Sequence, residues 1–186
     1  MDAIKLHKAP KIAVYSPKNK QPWDDAVTLA LTYAEIPYDI IYDPDVLDGS
    51  LPLYDWLHLH HEDFTGQYGK FYRSYHTKPW YKENKKKMEE LAGALGYNKV
   101  SQLKLAVAKK IKEYVVGGGF MFAMCSATDT YDIALAAEGM DICETMFDGD
   151  PAELNVQKRL DFSKTLAFEN FSISQNPMEY EHSNID

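Results

Sequence analysis

At 186 residues, with 45% apolar and 26% charged side chains, the chain is long enough to bury the core of one domain and too apolar to be disordered in bulk. Its formal charge of −8 disfavours nucleic acid or an anionic membrane surface as a partner, because an acidic protein gains no counterion release from a polyanion. No apolar run reaches the roughly twenty residues of a membrane span, and the start Met1-Asp2-Ala3-Ile4-Lys5 lacks a signal-peptide core, so the chain as written reads as cytoplasmic and unexported.

Lys11-Ile12-Ala13-Val14-Tyr15-Ser16-Pro17 is an apolar run closed by a turn, which predicts a first strand over 11–16. Pro22-Trp23-Asp24-Asp25 opens a helical pattern through Ala26, Leu29, Ala30 and Tyr33, stopped by Ile36-Pro37. A second strand over 38–42, a turn at Asp48-Gly49 and a third strand over 53–60 follow, the last running into His61-Glu62-Asp63-Phe64. Residues 65–82 carry Gly66, Gly69 and Pro79 among Tyr68, Phe71, Tyr72, Tyr75, Trp80 and Tyr81; they fit neither period and read as an ordered lid or insertion. Glu83 to Leu95 is helical and stops at Gly96, with Lys85-Lys86-Lys87 beside Glu83, Glu89 and Glu90 as a solvated face.

Ser101 is placed to cap the next helix, whose apolar positions Leu103, Leu105, Val107, Ala108, Ile111, Tyr114 and Val115 lead to Gly117-Gly118-Gly119. Those glycines precede a strand instead of following one, so they read as a helix stop and not as a phosphate loop. The strand over 119–125 ends at Cys125, and Asp129 or Thr130 starts a helix closed by Gly139. Pro151 predicts a brief helix over 151–159, and the alternation from Thr165 to Ile173 predicts a fifth, half-exposed strand over 165–174. Strands alternating with helices predict one α/β domain over 1–186, a flavodoxin-like three-layer sandwich whose first four strands are parallel.

A thiol at a strand-to-helix turn sits near the positive end of the following helix, which favours thiolate, so Cys125 is the candidate nucleophile; the alternative is a small buried hydrophobe. Cys143, among Asp141, Ile142 and Glu144, reads as structural, and reduced thiols are expected at both positions. His60 or His61 could act as base to Cys125, with Glu62 or Asp63 orienting it, or the loop could simply cap backbone groups. Alternation also puts His58 and His60 on one strand face, which with Glu62 would offer metal ligands, although the spacing matches no zinc signature and no metal or other cofactor is expected. The aromatic residues of 65–82 either line a pocket or pack the insertion onto the body.

The Gly-Gly-Gly, apolar strand and Cys125-Ser126-Ala127-Thr128 order resembles the class I glutamine amidotransferase-like superfamily and, within it, the ThuA-like branch, where a histidine stands at the elbow occupied here by Cys125. Tyr54 to Tyr68 and Gly118 to Thr130 are more closely similar to a bacterial group labelled asparagine synthetase B, over most of residues 10–186, whose chains are longer on both sides. The resemblance implies a Cys-dependent hydrolase or amidotransferase-like activity on a small amide or acyl compound, or else a ThuA-like small-molecule or sugar-binding module. On the enzyme reading Cys125, His60, His61 and Glu62 are the candidate catalytic residues, with Ser126, Thr128, Asp129 and Asp63 against the substrate and backbone N–H groups near Ser126 holding the oxyanion. The family's late histidine has a counterpart only in His182. A small molecule is the expected partner, and homo-oligomerisation is left open.

Overall fold

The computed structural model describes residues 9–17 and 26–179, with the Lys70 side chain excepted. The predicted helix start at Pro22-Trp23-Asp24-Asp25 and the candidate base His182 lie outside the described residues. Apolar runs form four strands, β1 (Ile12–Tyr15), β2 (Tyr38–Ile41), β3 (Trp56–Leu59) and β4 (Phe120–Ala123), in the order β2-β1-β3-β4 with every pair parallel. The longer helices are α1 (Ala26–Tyr33), α4 (Pro79–Ala94), α5 (Val100–Val116) and α6 (Ser126–Ala136); the short ones are α2 (Asp43–Leu47), α3 (Tyr72–Tyr75) and α7 (Thr145–Asp148). This is an α/β fold of the flavodoxin-like kind. Right-handed crossovers step from β1 to β2 in one direction and from β3 to β4 in the other, which puts α1 and α5 on opposite faces.

The main core lies on the face of α5. Ala13, Tyr15, Leu57 and Leu59 point there from the strands and meet Val100, Leu103, Val107, Ala108 and Ile111, a stripe at helical spacing. The other sheet face carries Ile12, Val14 and His58, all buried, but on β4 Phe120 and Phe122 are 57% and 42% exposed. His58 stacks on Phe122 with ring centroids 5.8 Å apart.

Several boundaries differ from expectation. No strand forms over 165–174: the Leu166, Ala167 and Phe168 N–H groups, which a ladder would have used, all donate to the buried Asp132 carboxylate at 2.8 Å. Phe168, Phe171 and Ile173 instead pack with Ile133, Ala136 and Val156 as a second small core against α6. The brief helix expected over 151–159 is displaced: α7 ends at Gly149, whose φ of +101° needs no Cβ, and only a 3₁₀ turn at Val156–Arg159 follows. α5 begins at Val100 with Lys99 at its cap, so Ser101 does not cap it, and α6 begins at Ser126 and not at Asp129 or Thr130. α4 begins at Pro79, four residues before Glu83, where proline's fixed φ and missing N–H suit the first helical position.

Candidate functional site

In a sheet of this order the chain leaves β1 towards one edge and re-enters beside it as β3, and the crevice at that reversal, outside the carboxyl ends of the strands, is where such folds bind ligands. A cavity of about 400 Å³ lies there, and every strand contributes a residue just past its end: Pro17 after β1, Tyr42 after β2, His61 to Asp63 after β3 and Cys125 after β4. Tyr68, Gly69 and Phe71 close one side, and Trp80, Asn84 and Met88, spaced by four along α4, close another. The segment read as a lid thus forms a wall of this cavity. A larger cavity of about 540 Å³ lies at the opposite sheet edge, between Tyr54-Asp55 before β3 and Gly117–Gly119 before β4. It holds neither cysteine nor histidine, so the smaller cavity is the chemical candidate.

Cys125 is exposed, and its backbone is held at φ 51°, ψ −138° between β4 and α6. A side chain seldom adopts that conformation, at a cost of roughly 1–3 kcal/mol unless its surroundings enforce it. Here they do. Met124 N–H continues the ladder to Leu59 O at 3.0 Å, and Thr128 N–H folds back on Cys125 O at 2.9 Å. The thiol is thereby lifted out of the sheet at the start of an eleven-residue helix.

The loop after β3 is tied to the same turn. Ser126 Oγ donates to the His61 carbonyl at 2.7 Å, and Thr130 Oγ1 accepts from Phe64 N–H at 3.3 Å while reaching the Glu62 carbonyl at 3.4 Å. Asp63 lines the cavity, but its carboxylate is engaged by Thr65 N–H at 2.7 Å, Thr65 Oγ1 at 2.5 Å and Gly69 N–H at 2.8 Å. It holds the 65–69 turn, in which Gly66, Tyr68 and Gly69 all have positive φ.

Of the residues expected to act, Cys125, His61, Glu62 and Asp63 meet on this cavity. His60 does not line it: the ring is buried, 3.7 Å between centroids from His61 and 6.4 Å from His58. Ser126 spends its hydroxyl on the backbone of the histidine loop, Thr128 sits in the first turn of α6, and Asp129 is fully buried below it. Among the described residues no hydrogen bond joins the Cys125 thiol to an imidazole.

Beneath the cavity lies a group that sequence reading passed over. Lys104, fully buried on α5, donates to Tyr15 Oη at 3.0 Å, Tyr42 Oη at 3.1 Å and Asp43 at 3.0 Å, which uses its three protons. The Tyr15 hydroxyl donates in turn to Asp43, and that of Tyr42 to Glu62 at 3.3 Å. The Lys104 ammonium is 4.0 Å from the Glu62 carboxylate and 4.4 Å from the centre of the Tyr42 ring. Burial first, then the Asp43 and Glu62 carboxylates, push both phenols well above the ordinary tyrosine range. The signal was present: a lysine interrupts the apolar stripe Val100, Leu103, Val107, Ile111 at a core position.

Among the described residues, Asp141, Cys143 and Asp148 are the group of metal-capable atoms that converges, within 4.8 Å. The Lys99 ammonium lies among their carboxylates, 2.5 Å from Asp141, 3.0 Å from Asp148 and 2.5 Å from Asp150, so the cluster already holds a cation. Cys143 is buried, donates to Thr65 O at 3.2 Å, and burial raises its thiol well above the ordinary range. His58, His60 and Glu62 do not converge as a metal set. No described helix is long and apolar enough to cross a membrane. No family model, curated protein or solved structure matches the chain.

Proposed function

We propose that the chain is a Cys-dependent hydrolase or amidotransferase-like domain of the class I glutamine amidotransferase-like kind, acting on a small amide or acyl compound at the cavity beyond the strand ends. The observation that carries this is the backbone of Cys125: a non-glycine residue held at φ 51°, ψ −138° on a strand-to-helix turn, with Cys125 and His61 both on the cavity lining. Strain of that kind persists where it aims a side chain.

In this reading His61 takes the thiol proton as the sulfur bonds to the carbonyl carbon, and the oxyanion meets the backbone N–H of Ser126 at the start of α6. The C–N or C–O bond then breaks and the leaving group departs with the proton from His61. Water, giving a proton to His61, next attacks the thioester, releasing the acid and restoring the thiol. Ser126 acts on His61 through its carbonyl, and Glu62 is steadied from below by Tyr42.

The test is the rate at which iodoacetamide alkylates Cys125 near neutral pH, against a free cysteine peptide, because the buried Cys143 is no fair control. Cys125 is expected to react about tenfold faster, as for a thiol near a helix N-terminus and an imidazole, and His61→Ala to remove most of that advantage while His60→Ala does not. A loss on His182→Ala alone would move the base to the tail. Reaction no faster than the free peptide would favour a non-catalytic ThuA-like binding module for a small molecule or sugar, a reading supported by the lack of a thiol–imidazole hydrogen bond among the described residues.

A further inference from the structure

The cavity has a polar floor and an apolar wall. On the wall, Phe71 and Trp80 are 42% and 48% exposed, and Tyr75 beside them is 37% exposed. Their rings form one group, edge-to-face where Phe71 meets Trp80 and Tyr75, with centroids 6.2 Å and 5.9 Å apart, and tilted where Tyr75 meets Trp80, at 5.2 Å. Three adjoining aromatic rings left in water are a standing cost of burial forgone, roughly 25 cal/mol for each Å² that a ligand would cover. Such a patch on a site marks what the site covers.

The wall is built on a helix and a hydrogen-bonded turn. Trp80 sits in the first turn of a sixteen-residue helix behind Pro79, Asn84 and Met88 continue its stripe, and Gly69 is anchored to Asp63 at 2.8 Å. A surface set by a helix and a pinned turn selects among ligands, whereas a loose one adapts to many. The floor, with His61, Glu62 and Cys125, holds the polar groups.

We propose that the substrate of this site is an amide or ester bearing an aromatic or branched apolar group, seated on Phe71 and Trp80 while its carbonyl lies at Cys125. This rests on the reading of Cys125 as the nucleophile, and it separates the site from one built for free glutamine, a small zwitterion with no apolar group for the wall. The volume of about 400 Å³ admits one aromatic ring together with an acyl group.

The experiment compares alkylation of Cys125 by N-benzyl iodoacetamide and by plain iodoacetamide, each rate divided by that for a free cysteine peptide. The benzyl reagent is expected to gain about tenfold over the plain one, a factor worth about 1.4 kcal/mol, and Trp80→Ala to bring the ratio near one. Glutamine, present as competitor, is expected to slow neither reagent, and N-acetyl-phenylalanine amide to slow both. A ratio near one in the parent overturns the proposal even if Cys125 proves fast with plain iodoacetamide, which would leave the nucleophile standing. A slow Cys125 that still prefers the benzyl reagent would instead remove the nucleophile and keep the aromatic wall. Protection by glutamine or by a neutral disaccharide, without protection by the aromatic amide, also overturns it.

Discussion

Cys125 pays for its position in backbone strain, and that makes a comparison of two thiol-free variants informative. In ordinary structure alanine is more stable than glycine by about 0.5–1 kcal/mol, because glycine loses more chain entropy on folding. At φ 51°, ψ −138° the Cβ is what costs energy, so the order should reverse: Cys125→Gly is expected to be more stable than Cys125→Ala by about 1 kcal/mol, read from urea midpoints at equal slope. If alanine is the more stable, the turn is not strained and the main support for a positioned nucleophile is gone. Asp132 and Asp63 work in another way, each using its carboxylate to hold backbone N–H groups of a neighbouring loop. The role of Asp132 is not visible along the chain, since its bonded residues lie more than thirty positions away, whereas Asp63 reaches only to Thr65 and Gly69 in the turn that follows it.

At the scale of elements, the turn after β3 is seated directly on the start of α5. A Cβ added to Gly66 would come within 2.7 Å of the Ser101 backbone nitrogen, and the residue's φ is +85°. Gly49 has nearly the same φ, +91°, and open space around it. Gly49→Ala should therefore cost only the left-handed conformation, roughly 1–2 kcal/mol, while Gly66→Ala should cost clearly more and slow Cys125 alkylation by shifting the cavity wall. Equal costs would mean that the close approach is not rigid. The four strands and the helices α4, α5 and α6 were legible because apolar runs and periodic stripes are local in sequence. The false strand at 165–174 was an alternation produced by packing on α6, and only the distant Asp132 decides that its N–H groups leave the ladder. α2 was missed because five residues carry too little periodicity, although Pro44 and the bond from Tyr42 N–H to Asp45 mark its start. The strand-end cluster was legible as Cys125 with His60-His61-Glu62-Asp63; which histidine lines the cavity follows from the loop's path after β3, held by Ser126 and Thr130.

The whole molecule carries its polar interior on tyrosines, which fixes how it should respond to alkali. Tyr15 and Tyr42 take hydrogen bonds from Lys104 and hand their own protons to Asp43 and Glu62, while buried Tyr131 donates to Ala108 O at 3.0 Å. Burial is the largest cause raising all three phenols, joined by Asp43 for Tyr15, Glu62 for Tyr42 and Asp132 for Tyr131. Because the folded value lies above the unfolded one near 10, the folded chain keeps protons that the unfolded chain has released once the pH passes about 10. The stabilisation is therefore complete below about pH 10 and is lost as pH rises beyond it, at about 1.4 kcal/mol per pH unit for each phenol held. Buried Tyr68 and Tyr81 are raised in the same way, burial again first, so five such groups give a fall of about 7 kcal/mol per unit, enough to unfold a domain with a stability of roughly 5–15 kcal/mol within a few units. Urea midpoints measured between about pH 9 and pH 11 should be flat at first and then drop steeply, with exposed tyrosines such as Tyr33 ionising in the folded chain and the buried phenols adding their absorbance only as it unfolds. Tyr131→Phe removes one of the five titrating groups while keeping its ring, so it should cut the alkaline slope by about a fifth. If the folded chain already shows the full phenolate absorbance of all thirteen tyrosines, with no further step on unfolding, these hydroxyls reach water and the closed network under the cavity would have to be given up.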